Sequence, residues 1–310
     1  MSIEIISSGL QTTVQDLGRK GWRHMGVPES GGADKPSLKL ANFLLNKALN
    51  SPVLECTLTG PSLKFFRSYS LVITGADMNP KINNKEIKMN KVIDVKPNDI
   101  LSLDNCSKGC RAYIALSEDI LAEDFLGSVS TYLPAKLGGI NGLALTEGTL
   151  VETKSCESEV LGITNKDLKL NDSFQNEWKL RVIEGPEYDF VKNASKEKIF
   201  SSIFSVSNDS NRMGNRLNGE GIELTNHDQM VSCPMSIGTV QCPEDGSPII
   251  LGCDSQTLGG YPRVLQVAAV DLHLIGQLRP NDNIFFERIS INHAREEFKK
   301  QNSLSPFSFF

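Results

Sequence analysis

The sequence predicts a mainly β protein built from two related β domains with a few covering helices. Three observations support this fold class: short β-rich segments recur along the chain, helical periodicity is rare, and two turn motifs recur in the same order. The segments are rich in β-branched residues and bounded by turn formers, as at 71–74, 111–116, 180–183 and 248–251. Many short strands with scattered helices favour barrels or sandwiches.

The repeated turn motifs indicate two domains. Gly75-Ala76-Asp77 is followed by Pro97-Asn98-Asp99, and Gly252-Cys253-Asp254 is followed by Pro280-Asn281-Asp282. Although Pro-Asn-Asp is ordinary turn chemistry, its position after a Gly-x-Asp turn in both halves favours two related β-barrels.

The polar, weakly periodic stretch 154–178 is the best candidate for the connection between the halves. We therefore predict domains at 1–165 and 166–310.

Two segments have helical periodicity. Residues 37–46 and 291–300 each place apolar residues on one face, with Asp34 and Ser290 available as N-caps. We expect both helices to cover a sheet. Asn83-Asn84 lies between two short strand-like segments and predicts a tight hairpin turn.

Composition excludes several classes of protein. With 39% hydrophobic and 22% charged residues, the chain can build a core without a disulfide or metal. A net charge of −5 argues against nucleic acid or an anionic membrane as the main partner. The N-terminal residues lack a signal-peptide pattern and no apolar run approaches the roughly 20 residues of a membrane span. We expect a cytoplasmic protein whose seven cysteines are reduced and mostly buried.

Several familiar catalytic patterns are absent from the sequence. It contains no GxxxxGK[ST] phosphate loop, no GxGxxG fingerprint and no GxSxG elbow. Cys106 and Cys110 have neither a second cysteine pair nor a nearby histidine, so they do not match the ligand spacing of a zinc site. We therefore expect no metal site. His24 could act in acid–base chemistry, but a packed or surface role is favoured for it and for the other histidines: His227, His273 and His293.

Three segments combine polar residues with glycines where strands are expected to end. In the first, 12–34, a glycine-rich loop leads into a helix and could hold an anion on free backbone N–H groups, although a plain turn is the alternative. In the second, 207–217, Arg212 and Arg216 could clamp a carboxylate or phosphate. An ordinary surface loop with solvated arginines fits the spacing equally well.

The third segment, 238–263, has the densest set of polar groups. Asp254, Gln256, Thr257 and Tyr261 offer donors and acceptors of different kinds. Gly259-Gly260 would let the backbone approach a ligand closely. This combination is more typical of a specificity loop than of a plain connection.

Together these segments resemble the carboxyltransferase-type family that includes KipA, allophanate hydrolase subunit 2 and the C-subunit of 5-oxoprolinase. The resemblance covers nearly the whole chain and rests on TTVQDLGRKGWRHMGVPESGGAD at 12–34, ANFLLN at 41–46, LECTLTGPSLKF at 54–65, SNDSNRMGNRL at 207–217, GTVQCPEDGSPIILGCDSQTLGGYPRV at 238–264 and DLHLIGQLRPND at 271–282. This chain departs from the family pattern at Asn211, usually Asp, and at Asn215, usually Tyr. The common Ser-Gly-Ala-Met-Asp is Ser-Gly-Gly-Ala-Asp at 30–34.

The resemblance implies tandem cyclophilin-like barrels and a multi-subunit enzyme. The implied reaction is ATP-dependent opening of 5-oxoproline to glutamate, with ATP and Mg²⁺ acting at the level of the complex. The implied partners are a KipI-like companion subunit and a LamB/YcsF-like subunit, and this chain carries no covalently attached biotin.

On this basis we expect three loops, 12–34, 207–217 and 238–263, to line one polar cleft. Asp16, Asp254 and Gln15 are the expected catalytic residues. The expected substrate-binding residues are Arg19, Ser30, Gly31, Asp34, Arg212, Arg216, Gln241, Gln256, Thr257, Gly259, Gly260 and Tyr261.

Two other functions fit the same resemblance. One is a biotin-dependent carboxyltransferase, as in urea carboxylase, which would need a biotin carboxylase and a biotinylated carrier. The other is a non-catalytic KipA-like regulator that binds a KipI-like partner, to which the Phe-rich tail at 305–310 could add an apolar contact.

Overall fold

A computed structural model describes residues 2–156, 174–225 and 230–304. The chain forms two compact units: unit 1 is Met1–Arg19 with Ser30–Phe174, and unit 2 is Lys20–Glu29 with Gln175–Phe310. No sequence pattern indicated that the segment 20–29 belongs to the second unit. The predicted boundary at 165/166, His227 and the tail at 305–310 lie outside the described residues.

Unit 1 contains two main sheets and a separate pair of short strands. Its strands are β1 (Ile3–Ser7), β2 (Gln11–Gln15), β3 (Val53–Thr57), β4 (Ser62–Phe65), β5 (Tyr69–Gly75), β6 (Lys81–Ile82), β7 (Lys85–Glu86), β8 (Ile93–Val95), β9 (Ile100–Ser102), β10 (Arg111–Leu116), β11 (Asp119–Ile120), β12 (Leu150–Val151) and β13 (Thr153–Lys154). The strand orders are β12-β1-β4-β9-β6-β7 and β2-β3-β10-β5-β8 in the two main sheets, and β11 pairs with β13. Residues from both sheets form one apolar core.

The five-stranded sheet of unit 1 has one apolar and one polar face. Val14, Leu54 and Ile114 belong to the core. Because successive side chains of a strand point to opposite faces, Glu55 and Tyr113, which are paired across β3 and β10, lie on the other face. The polar face is nevertheless buried, since α1 (Lys35–Leu44) packs on β5 and β10.

Local features predicted from the sequence are confirmed in unit 1. The Asp34 carboxylate caps α1 by accepting hydrogen bonds from Ser37 N at 3.0 Å and Ser37 Oγ at 2.6 Å. The helix ends at Leu44, slightly before the predicted end. Asn83 and Asn84, with φ of 49° and 65°, form the turn between β6 and β7.

Unit 2 is built on a closed seven-stranded barrel. Its strands are β14 (Glu177–Glu184), β15 (Phe204–Val206), β16 (Gly214–Asn218), β18 (Thr239–Gln241), β19 (Ile249–Leu251), β21 (Arg263–Val267) and β22 (Asn283–Arg288). Their order around the barrel is β14-β21-β18-β19-β16-β15-β22, with β14 and β22 parallel. A separate ribbon pairs β17 (Cys233–Pro234) with β20 (Leu258–Gly259). The mainly β fold class is therefore confirmed.

The helices of unit 2 are short. They are α2 (Asn193–Ser201), α3 (Leu272–Ile275) and α4 (Ile291–Leu304). Only α4 was predicted, and Ser290 Oγ accepts a hydrogen bond from His293 N at 3.2 Å, as an N-cap would. Within the described ranges, no helix is long and apolar enough to cross a membrane.

The Pro-Asn-Asp turns of the two halves have the same geometry. Asn98 and Asn281 both have a left-handed backbone conformation, with φ of 73° and 70°. Each following aspartate accepts a hydrogen bond from the backbone N–H three residues before it: Lys96 N to Asp99 and Arg279 N to Asp282. The Gly-x-Asp turns differ, because Asp77 is exposed whereas Asp254 is buried. The Pro-Asn-Asp part of the repeat is therefore a shared turn, whereas the Gly-x-Asp parts have different surroundings.

Candidate functional site

Asp16, directly after the end of β2, holds two loops of unit 1 together. Its Oδ1 accepts hydrogen bonds from Gly18 N at 2.7 Å, Ser128 Oγ at 2.6 Å and Ser130 Oγ at 2.5 Å. Its Oδ2 accepts one from Val129 N at 2.9 Å. A carboxylate has about four acceptor positions, and here four are used within unit 1. This favours a positioning role for the carboxylate that we predicted to be catalytic.

Arg19 is fully buried against the same loop. Its Nε donates to Phe125 O at 3.3 Å, its Nη2 donates to Ser130 O, and its guanidinium lies 5.8 Å from the centre of the Phe125 ring. A Cβ at Gly138 would approach Ser130 O to 2.3 Å, so this glycine permits the close packing. Arg19 therefore shapes the loop at 125–130 from inside the unit.

Gln15 is buried beside this loop and has unused hydrogen-bonding capacity. Its Nε2 donates to Thr13 Oγ1 at 3.0 Å and to Thr131 O at 3.1 Å. Its Oε1 is buried and has no hydrogen-bond partner within the described part of the chain. The sequence patterns did not single out the segment 128–131, although its serines and threonine followed by Gly138-Gly139 resemble the polar, glycine-containing loops chosen elsewhere.

The turn at 30–34 uses three consecutive backbone N–H groups internally. Gly32 N donates to Asp16 O at 2.9 Å, Ala33 N to Glu55 Oε2 at 2.8 Å and Asp34 N to Tyr113 Oη at 2.7 Å. These amides therefore do not form the free anion cradle that the glycine-rich loop suggested.

Ser30 and Gly31, at the start of this turn, both have a left-handed backbone conformation, with φ of 54° and 83°. A Cβ at Gly31 would lie 2.8 Å from Gly18 N, so a glycine is needed there. The Ser30 hydroxyl is buried and makes no hydrogen bond to the residues that the structure describes. A non-glycine residue in this conformation with an unsatisfied hydroxyl is typical of functional positions.

In unit 2, Arg212 and Asp254 form a buried bidentate pair. Arg212 Nε lies 2.7 Å from Asp254 Oδ2, and Nη2 lies 3.1 Å from Oδ1. Arg216, in β16, is exposed. The two arginines therefore do not form the clamp suggested by their spacing, because one is neutralised by a carboxylate and the other faces solvent.

Gln241, Gln256 and Arg23 form a second polar group in unit 2. Gln256 Nε2 donates to Gln241 Oε1 at 3.2 Å. Arg23 Nη2 donates to Met235 O at 2.8 Å and to Gln256 O at 3.3 Å, while its Nη1 is buried without a hydrogen-bond partner among the described residues. Burial lowers the pKa of Arg23, and the nearby Glu29 carboxylate opposes that shift. Arg23 was missed, although it lies within the motif at 12–34.

The remaining predicted residues lie on or beside the β17–β20 ribbon. Thr257 O accepts a hydrogen bond from Met235 N at 2.9 Å. A Cβ at Gly259 would lie 2.6 Å from Met235 Cε. Gly260 and Tyr261 are exposed. Within this set, the ribbon end at 260–261 is the part most accessible to a ligand or partner.

The two departures from the family pattern have different surroundings. Asn211 Oδ1 accepts a hydrogen bond from Met213 N at 2.8 Å, which an aspartate could accept equally well. Asn215 is buried and donates to Ile275 O at 3.3 Å. The second departure therefore changes a buried position of unit 2.

The structure thus brings the predicted residues together in separate groups. In unit 1 these are Gln15, Asp16, Arg19, Ser30, Gly31 and Asp34, and in unit 2 they are the Arg212–Asp254 pair and the Gln241–Gln256 pair with the ribbon. Their convergence on one cleft stays a prediction. No group of three or more His, Cys, Asp or Glu side chains in the described ranges could hold a metal ion.

Comparison with known proteins identifies the class. The model of the carboxyltransferase domain, subdomain A and B, matches residues 25–288, and the chain belongs to this family.

The chain is similar over nearly its whole length to several known members of the family. The chain is 32% identical to the C-subunit of 5-oxoprolinase from Escherichia coli (strain K12), over 94% of this chain and 93% of that protein. It is 33% identical to urea amidolyase of Saccharomyces cerevisiae, over 97% of this chain but only 17% of that enzyme. The crystal structure of the K. lactis urea amidolyase matches 100% of this chain and 20% of that one, with a TM-score of 0.90 and 32% identity.

Proposed function

We propose that this chain is the carboxyltransferase-family subunit of an ATP-dependent 5-oxoprolinase, which hydrolyses 5-oxo-L-proline to L-glutamate. The observation that carries the proposal is the match to the C-subunit of the E. coli enzyme, which extends over 93% of that protein. On this proposal the chain works in the cytoplasm with a KipI-like companion and a LamB/YcsF-like subunit.

The chemistry explains why ATP is needed. A lactam carbonyl is a poor electrophile, and transfer of the γ-phosphoryl group of ATP to the amide oxygen makes its carbon open to attack by water. Addition of water to that carbon and cleavage of the ring C–N bond give the free amine and an acyl phosphate. A second water then hydrolyses the acyl phosphate to the carboxylate and phosphate, while ADP, formed in the phosphoryl transfer, is released. Positioned hydrogen-bond donors stabilise the charge that develops on oxygen.

The contribution of this chain would come from groups with unused hydrogen-bonding capacity. These are the Gln15 amide oxygen and the Ser30 hydroxyl in unit 1 and Arg23 Nη1 in unit 2. On this proposal ATP and its Mg²⁺ act at the level of the complex.

A biotin-dependent carboxyltransferase is the second candidate. It is favoured by the similarity to urea amidolyase, at 33% identity over 97% of this chain. That function requires carboxyl transfer from a biotinylated carrier protein to urea, so its substrates differ from those of the first proposal.

Reconstitution would separate the two candidates. The chain is mixed with its KipI-like and LamB/YcsF-like companions, and glutamate and ADP are followed after addition of 5-oxoproline and MgATP. We expect both products to form in equal amounts, and only when all three proteins are present. Product formation no higher than in mixtures lacking this chain would reject the proposal, while carboxylation of urea from a biotinylated carrier would establish the alternative.

A pair of serine variants would test the site within the same assay. Ser30→Ala removes the buried hydroxyl of the turn at 30–34. The control, Ser62→Ala, removes a hydroxyl from β4 in the six-stranded sheet of unit 1. We expect Ser30→Ala to lower kcat/KM at least about tenfold, as the loss of one substrate hydrogen bond would. Equal activity of the two variants would exclude Ser30 from the site.

A further inference from the structure

Glu55 and Tyr113 hold the turn that carries Ser30. Glu55 lies in β3 and Tyr113 in β10, directly opposite each other in the antiparallel pairing. Their side chains are therefore on the same face of the sheet, under the turn at 30–34. Both side chains are almost completely buried.

The two side chains form a continuous hydrogen-bonded chain. Tyr113 Oη donates to Glu55 Oε2 at 2.9 Å and accepts from Asp34 N at 2.7 Å. Glu55 Oε2 also accepts from Ala33 N at 2.8 Å. Arg111 Nε lies 3.4 Å from Glu55 Oε1 and balances its buried charge.

The phenol is suited to this bridging role. Burial raises the pKa of Tyr113 well above its ordinary value, and the Glu55 carboxylate raises it further. The hydroxyl therefore stays protonated and keeps donating to Glu55 over the whole working pH range. Because Oη also accepts from Asp34 N, loss of the hydroxyl would remove the acceptor of that amide and one of the two donors to Glu55 Oε2.

Ser30 depends on this support. Its left-handed backbone is unfavourable for a residue with a Cβ and persists only where the surroundings fix it. The amides of Gly32, Ala33 and Asp34, just downstream, are each tied to a different strand or loop. Two of those three ties are made by Glu55 and Tyr113.

We propose that Glu55 and Tyr113 are positioning residues of the candidate site, which act through the Ala33 and Asp34 amides to fix the Ser30 backbone and side chain for substrate. This inference rests on the proposed function for its catalytic consequence. The anchoring of the turn itself can be measured without any activity.

The first test uses amide exchange in the full chain. Tyr113→Phe removes the hydroxyl, and Tyr69→Phe is the matched control, because Tyr69 is also buried in unit 1 and its Oη lies 3.1 Å from Thr153 Oγ1. We expect hydrogen exchange of the Asp34 amide to accelerate at least about tenfold in Tyr113→Phe and to be unchanged in Tyr69→Phe. Unchanged exchange of Asp34 in Tyr113→Phe would overturn the proposal.

The second test uses the reconstituted complex. A positioning role predicts that Tyr113→Phe lowers kcat about tenfold or more with a smaller change in KM, while Tyr69→Phe keeps wild-type values. Faster exchange with unaltered kcat would also overturn the proposal, since the turn would then be anchored without consequence for the reaction. If the wild-type complex has no activity, the proposed function fails and the exchange comparison alone decides whether the turn is anchored as described.

A second variant covers the case in which Tyr113→Phe does not fold. Glu55→Gln removes the negative charge that pairs with Arg111 and that strengthens the hydrogen bonds from Ala33 N and Tyr113 Oη, both of which reach Oε2. We expect faster exchange of the Ala33 amide and a lower kcat. Wild-type values of both would count against the proposal.

Discussion

The Arg212 guanidinium and the Asp254 carboxylate form a two-point ion pair, with Nε–Oδ2 at 2.7 Å and Nη2–Oδ1 at 3.1 Å, and both side chains are at most 5% exposed. Removing one partner of such a pair leaves the other charge buried and uncompensated. We predict that Arg212→Gln lowers the free energy of unfolding of unit 2 by about 3–5 kcal/mol.

Tryptophan fluorescence during urea unfolding is the appropriate measurement. Both tryptophans of the chain, Trp22 and Trp178, belong to unit 2, so the signal follows that unit. Arg216→Gln is the control, because Arg216 is exposed and its loss should change stability by less than about 0.5 kcal/mol. Similar losses in the two variants would contradict the structural role assigned to the pair.

Gly31 supports a second prediction, about close packing. Its φ of 83° disfavours any residue with a Cβ, and an added Cβ would also lie 2.8 Å from Gly18 N. Gly127, with φ of 79°, has no atom within 4 Å of such a Cβ. Gly127→Ala should therefore cost only the conformational penalty of about 1–2 kcal/mol, and Gly31→Ala should cost clearly more.

Differential scanning calorimetry of the two glycine variants would measure this difference. Both residues belong to unit 1, so the comparison is made within one unit. Equal shifts in Tm would show that the turn can move away from Gly18 without cost.

Local features were the part of the fold that could be predicted from the sequence. The Asp34 cap and the Asn83-Asn84 turn depend on hydrogen bonds and backbone angles within a few residues, which residue type largely determines. The same is true of the Asp99 and Asp282 turns.

The candidate site depends on contacts between distant parts of the chain, which spacing alone does not predict. Ser128 and Ser130 reach Asp16 from more than a hundred residues away. Arg212 and Arg216 are close in sequence, but Arg212 is buried against Asp254 and Arg216 is exposed on β16. Pairing and register in a β fold are set by the whole sheet, so the partner of each polar side chain becomes evident only in the folded structure.

Glu187 gives a prediction about acid stability. The Arg263 guanidinium donates to both carboxylate oxygens, at 2.8 and 2.6 Å, and these hydrogen bonds lower the pKa of Glu187 below its ordinary value of 4.5. A lowered pKa in the folded state stabilises the protein above the ordinary value, and this contribution is lost as the pH falls below it. Glu187→Gln should therefore be less stable than wild type at neutral pH, and the difference should shrink in acid.

Urea unfolding of wild type and Glu187→Gln at a series of pH values below neutrality would test this. Glu296→Gln, which changes an exposed residue of α4, is the control and should follow the wild-type pH profile. A stability difference for Glu187→Gln that is independent of pH would show that the ion pair is not the cause.

Thiol labelling provides the last prediction. Burial raises the pKa of Cys56 and of Cys242 to about 12, so both stay protonated and unreactive near neutral pH. Cys156 and Cys233 are only half-buried. In the folded protein at pH 8, N-ethylmaleimide should modify the half-buried pair first and leave Cys56 and Cys242 unmodified, whereas all seven should react in urea.

The raised pKa of these two thiols also predicts how the free energy of unfolding changes at alkaline pH. Because the thiol pKa is raised on folding, its stabilising contribution is complete below the ordinary value of 9 and is lost as the pH rises towards about 12. Cys56→Ser and Cys242→Ser should therefore weaken the decline in unfolding free energy above pH 9, and Cys233→Ser should leave it unchanged. In the labelling experiment at pH 8, a mass spectrum in which Cys56 or Cys242 is modified as fast as Cys233 would mean that these thiols are accessible in the native state.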